Sequence, residues 1–178
     1  MANLSTPIGG RDHSMGPPHA LVTIVEYGDF ECPYSGRAYS VMKTLRERLG
    51  LQVRFAFRNF PIVELHPHAQ PAAAAAEAAA AQGRFWKMHD LLFENQRALG
   101  PAALDRYARA LELDMARFND DLHEGAFAAR IDADVESGVM SGVEGTPTFF
   151  INGVRHDGAH DLPSLLAAVA AAAPGLRR

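Results

Sequence analysis

Apolar residues follow three distinct rhythms along this chain. Leu21, Val22, Ile24 and Val25 form a near-continuous apolar run within Ala20–Tyr27, the pattern of a strand buried on both faces. Pro33 then suits the first turn of a helix, where its missing N–H costs nothing. Val41, Met42, Leu45 and Leu49 recur at helical spacing until Gly50 stops the helix. From Gln52 to Arg58 the rhythm changes to alternation, with Val53, Phe55 and Phe57 apolar, which predicts a second strand. Strand, helix and strand in that order make a βαβ unit with parallel pairing and a right-handed crossover.

From about His66 to Gly138 no strand pattern is convincing. Ala72 to Ala81 strongly favours helix. Phe85, Met88, His89, Leu92 and Phe93 follow at helical spacing, and Pro101 opens a helix carrying Leu104, Tyr107, Ala108 and Leu111. Asp114 caps a short helix, and Gly125 precedes the last one, through Phe127, Ile131 and Val135. The flanking aromatics mark the Ala run as a packed helix and not a low-complexity tract. Thr148-Phe149-Phe150-Ile151 then reads as a short strand, Asn152-Gly153 as a two-residue hairpin turn, and Val154–Gly158 as the return strand. Asp161 caps a final helix with Pro163 in its first turn. The expected organisation is a flexible arm over 1–18, an α/β unit over 19–62 and 139–174, and a helical insertion over 63–138.

Composition narrows the classes. The 178 residues are 48% hydrophobic and 21% charged, ordinary for a globular chain long enough to bury a core without staples. A net charge of −4 with no basic cluster gives no reason to expect nucleic acid. Arg177 and Arg178 read as a solvated end. No apolar run reaches the roughly 18–20 residues that span a bilayer. Met1 to Ala20 is polar and lacks the apolar middle of a secretory signal, so the expectation is a cytoplasmic protein, or a periplasmic or secreted one if a leader has been removed. One cysteine excludes an internal disulfide.

That cysteine carries the candidate chemistry. Cys32 sits where the first strand hands over to the first helix, beside unpaired backbone N–H groups and a partial positive charge that favour a thiolate. The reading requires its sulfur to be accessible. Three residues on, Ser35 stands where a second cysteine would make a dithiol couple. Ser35 is no comparable nucleophile without a base, but it can donate a hydrogen bond to the Cys32 thiolate. Glu26, among apolar neighbours, is expected to be buried and to carry protons. Asp29 and Glu31 bring negative charge near the sulfur. Pro33 and Tyr34 flank it and are expected to face substrate.

Glu26-Tyr27-Gly28-Asp29-Phe30-Glu31-Cys32-Pro33-Tyr34 before a helix, a helical insertion, and Gly145-Thr146-Pro147-Thr148-Phe149 before a hairpin together resemble the DsbA-like branch of the thioredoxin superfamily. The resemblance implies an α/β thioredoxin fold, a central mixed sheet built from βαβ plus ββα, with an all-helical insertion of about 70 residues. It implies that Cys32 is the nucleophile of thiol–disulfide exchange. It implies that the Thr146–Pro147 bond is cis beside Cys32, with Thr146 offering backbone hydrogen bonds to an extended substrate, and that Glu26 moves protons to and from sulfur. The chain departs from the dithiol members at Ser35, which is compatible with a natural monothiol site and with a Cys→Ser replacement.

A one-cysteine site needs an outside thiol to resolve its mixed disulfide, and glutathione is the expected co-substrate, with no bound cofactor. The partners expected are a disulfide-containing or glutathionylated protein or a small thiol, with no nucleic acid and no membrane; the chain is expected to be a monomer or weak dimer. Two other readings stay open: a glutathione-dependent transferase or isomerase using Ser35, and a redox-inactive peptide-binding module. His66-Pro67-His68 offers too few ligands for a metal site and reads as a solvated pair at a helix start. Phe85, Trp86 and Phe93 read as core of the helical block.

Overall fold

His13–Met15 (β1), Val22–Gly28 (β2), Val53–Asn59 (β3), Thr148–Ile151 (β4) and Val154–Arg155 (β5) form one sheet in the order β1-β3-β2-β4-β5. These observations come from a computed structural model, which describes residues 2–175. Arg177 and Arg178 therefore lie outside the described residues. β2 pairs in parallel with β3, Ile24 opposite Phe55, and antiparallel with β4, Glu26 opposite Phe149. The crossover from β2 to β3 is helix α1 (Pro33–Leu49), closed by Gly50 at φ +53.

The near-continuous apolar run makes β2 the central strand because both of its faces are covered. Ile24 joins Phe55, Phe57, Phe149, Met42 and Leu45 in the larger core, on the α1 side. Val25 and Tyr27 point the other way, into a smaller core with Ala56, Val143 and Phe150. Burying each of these phenylalanines contributes on the order of 2 kcal/mol.

Five helices lie between β3 and β4: α2 (Ala69–Ala80), α3 (Phe85–Glu94), α4 (Pro101–Ala110), α5 (Met115–His123) and α6 (Ala128–Met140). The alanine run is their hub. Ala72, Ala73, Ala75, Ala76, Ala78 and Ala79 are all buried, and α2 touches each of the other four. Side chains this small let neighbouring helices approach closely. Helix α7 (Leu162–Ala172) follows the hairpin, with Asp161 accepting from the Ser164 N–H at 2.8 Å as its cap.

Three expectations are corrected. The strand start moves from Ala20 to Val22, and the return strand shrinks from Val154–Gly158 to Val154–Arg155. The arm is not loose. It supplies β1, and Leu4 N–H donates to the Gly153 carbonyl at 2.8 Å. Asp12 pairs with Arg58 at 2.7 Å, and His13 bonds Glu77 at 2.9 Å while stacking on Phe85. Burial opposes ionisation of Asp12, but the Arg58 guanidinium and the Gly9 N–H outweigh it and hold the carboxyl below its usual range. Local composition does not see this order because every one of its partners lies on a distant segment of the chain.

Candidate active site

Cys32 is the N-cap of α1, with extended backbone, and Pro33 opens the helix behind it. Its N–H donates to the Asp29 carbonyl and its carbonyl accepts from the Gly36 N–H. The thiol reaches across to the loop before β4, donating to the Thr146 carbonyl at 3.3 Å. The sulfur is less open than the sequence suggests: Cys32 is only 4% exposed, because that loop comes up against it.

The Thr146–Pro147 peptide is cis. A cleft of about 360 Å³ opens beside it, lined by Tyr34, Thr146, Pro147, Arg155, His156 and His160. The Thr146 hydroxyl is buried and has no hydrogen-bond partner among the described residues. Pro33 and Tyr34 face solvent next to the sulfur; Tyr34 is 64% exposed, and the Arg37 guanidinium lies 4.3 Å from its ring centre. Cys32, Pro33, Tyr34, Thr146 and Pro147 thus meet in one place.

Ser35 and Glu26 stand apart from that cluster. Ser35 is 0% exposed, and its hydroxyl accepts from the Asp29 N–H at 3.4 Å. The expected hydrogen bond to Cys32 is not made, because the thiol turns to Thr146 and the hydroxyl to the turn behind it. Glu26 is buried between Phe57 and Phe149 on the α1 side of the sheet. Burial pushes its carboxyl up to about 8, and Oε1 has no partner among the described residues.

Gln96 went unread in the sequence, and Asp29, Glu31, His66 and His68 hold the site in ways it did not show. Gln96, just past α3, donates through Nε2 to the carbonyls of Phe30 and Cys32. Asp29 is buried and accepts from the Glu31 and Ile62 N–H groups and from His66 at 2.8 Å. Glu31 accepts from the His68 N–H and meets its ring at 2.9 Å. The two histidines are therefore not a free solvated pair: they tie the loop after β3 to the active-site turn. Asp29 two residues before Glu31 is a turn signal; nothing local marks the histidines or Gln96 as its partners. Among the described residues no group of three or more His, Cys, Asp or Glu side chains converges as a metal site.

A cysteine capping the first helix of a βαβ unit, facing a cis-proline loop, with helices inserted between β3 and β4, defines a thioredoxin-fold protein of the DsbA-like kind. A family model described as Thioredoxin matches residues 9–171, and the chain belongs to that family. The fold is that of BdbD from Bacillus subtilis, with a TM-score of 0.88 at 22% identity over 98% of this chain and 99% of that one. A thioredoxin-like oxidoreductase from Silicibacter pomeroyi is 29% identical, with a TM-score of 0.81 over 92% of this chain and 93% of its own. In sequence the chain is 49% identical over 94% of its length to a protein of Salinispora arenicola named Na(+)/H(+) antiporter NhaA 1, of which it covers 26%. The chain thus spans about a quarter of the length of the curated relatives it matches. Among the described residues no helix is long and apolar enough to cross a membrane.

Proposed function

We propose that this chain is a one-cysteine thiol–disulfide oxidoreductase whose mixed disulfide is resolved by an external thiol, glutathione first among them. The observation that carries the reading is the 3.3 Å contact between the Cys32 sulfur and the Thr146 carbonyl. It supports the reading because Thr146, whose carbonyl meets the sulfur, also lines an open cleft in which an extended disulfide or glutathionylated substrate can lie.

The cycle balances in two steps. The Cys32 thiolate attacks one sulfur of the substrate's S–S bond, forming a mixed disulfide and expelling the other sulfur as a thiolate, which takes a proton. A glutathione thiolate then attacks the Cys32-bound sulfur, releasing Cys32 and leaving the new disulfide with glutathione. Glu26 supplies and removes the proton, and Pro33, Tyr34, Thr146 and Pro147 hold the substrate. No bound cofactor takes part. A reducing compartment such as the cytoplasm supplies the second thiol. A monomer or weak dimer suffices, since every residue of the cycle comes from one chain.

The transferase reading through Ser35 has the weaker support, because a fully buried hydroxyl bonded to its own turn is out of reach of a bound thiol. The likeness to a quarter of an Na(+)/H(+) antiporter further suggests a unit that works beside membrane transporters.

The test is mass measurement after exposure to oxidised glutathione. One glutathione adduct, reversed by reduced glutathione and absent in Cys32→Ala, is the expected result. Reversible peptide binding with no adduct would favour the binding module instead.

A further inference from the structure

Two buried polar atoms in the larger core have no hydrogen-bond partner among the described residues, Glu26 Oε1 on β2 and His89 Nε2 on α3. Both residues line one cavity of about 370 Å³ between α1, α3 and the sheet. It is large enough for ordered water and has polar walls, the condition under which water occupies a protein interior.

Their hydrogen-bonding roles are complementary. His89 is 3% exposed and packed among aromatic rings that include Phe30, Phe57, Trp86 and Phe93. Burial lowers its pKa despite Asp90, so the ring is neutral. Asp90 is held ionised: burial opposes this, but the His89 hydrogen bond prevails. A carboxylate only accepts, so His89 Nδ1, 3.0 Å from Asp90 Oδ1, must donate. That leaves Nε2 with a lone pair turned inward. Glu26, kept protonated by burial, has an O–H to give.

We propose that Glu26 and His89 hold a water molecule between them in this cavity, and that His89 is the positioning residue through which the Glu26 proton reaches and leaves solvent. The inference rests on the reading of Glu26 as the proton carrier for Cys32. In the relay the water accepts the carboxylic proton of Glu26 and donates its own hydrogen to Nε2, making the ring a transient imidazolium; Nδ1 then gives its proton to Asp90 Oδ1, 3.0 Å away, and the half-exposed Asp90 releases it to solvent. The other titratable and charged groups facing the pair are Tyr39, Lys43, Arg46 and Glu47 on α1, Asp90 on α3 and His13 on β1.

The experiment is a pH titration of the intact chain by nuclear magnetic resonance, with isotope-labelled histidine and glutamate. His89 Nε2 is expected to shift in step with the Glu26 carboxyl, and the shift to vanish in Glu26→Gln. An Nε2 signal that stays flat while Glu26 titrates overturns the water bridge. In His89→Phe the dependence of Cys32 alkylation on pH is expected to move by roughly threefold in rate near the Glu26 transition; an unchanged profile reduces His89 to core packing. Failure of the glutathione adduct test would instead overturn the redox reading and leave the Nε2 titration as it is.

Discussion

Gln96 holds the carbonyl of Cys32. Its Nε2 donates to that oxygen at 2.8 Å and to the Phe30 carbonyl at 2.9 Å, so one amide from the helical insertion fixes both ends of the active-site turn. The same amide packs where a side chain on Gly36 would have to stand. Gln96→Ala leaves two partly buried carbonyls to water and is expected to cost about 1–2 kcal/mol. Hydrogen exchange at the Cys32 and Gly36 amides reads the effect, and both should exchange faster. Protection equal to the wild type would mean the turn holds itself.

Cys32→Ala removes the only thiol in this chain, and with it the only sulfur able to form a mixed disulfide. Exchange activity should vanish, while the folding free energy changes by about 1 kcal/mol or less. Residual turnover in a glutathione-coupled disulfide assay would overturn the assignment of Cys32.

Ser35 lies one helical turn beyond Cys32 and is fully buried behind it. Ser35→Cys is expected to close an intramolecular disulfide under mild oxidant, lowering the free-thiol count from two to none without dimer formation. Two thiols persisting under those conditions would show that the side chains do not come together.

Glu26 sets a pH dependence of stability. Its carboxyl titrates at about 8 in the folded chain, against the ordinary value of 4.5. Between those values the folded chain holds a proton that the unfolded chain has released, so stability falls as pH rises through that window. The full loss, reached above about 8, is on the order of 5 kcal/mol. Glu26→Gln removes the effect. Calorimetry should show the variant's Tm gaining on the wild type from mildly acidic to alkaline pH; parallel curves would contradict the assignment.

Asp12 anchors the N-terminal segment to Arg58, and both side chains are almost fully enclosed. Asp12→Ala leaves a buried guanidinium without its counter-ion and is expected to cost about 3–5 kcal/mol. The folded carboxyl titrates below its ordinary 3.8, so this contribution holds above that pH and fades as pH falls through the folded value. Denaturant unfolding measures it, and a loss under about 1 kcal/mol would mean the arm is dispensable.

Much of this could be seen in the chain itself, for reasons that are local. Alternation in Val53, Phe55 and Phe57, the proline after Cys32, the Asp161 cap and the Asn152-Gly153 turn each reflect a backbone preference within a few residues. Asn152 and Gly153 do take positive φ, as that turn demands. The paired motifs at Cys32 and Thr146 identified the thioredoxin architecture because each sits immediately before a regular element, α1 and β4.

What lay outside that reach involves contacts between distant segments. Ser35 turned from the sulfur because the Thr146 carbonyl, over a hundred residues on, offered the thiol a partner. His66 and His68 became ties to Asp29 and Glu31, and Gln96 became a clamp, through the folding back of the insertion. The sequence by itself determined the elements from β2 onward, the sheet's central strand and the single cysteine at the head of α1, since these follow from periodicity, turn chemistry and residue type. Only the tertiary structure decided which buried polar groups found partners and which, like Glu26 and His89, did not, because a hydrogen bond depends on where distant segments meet in space and carries no mark along the chain.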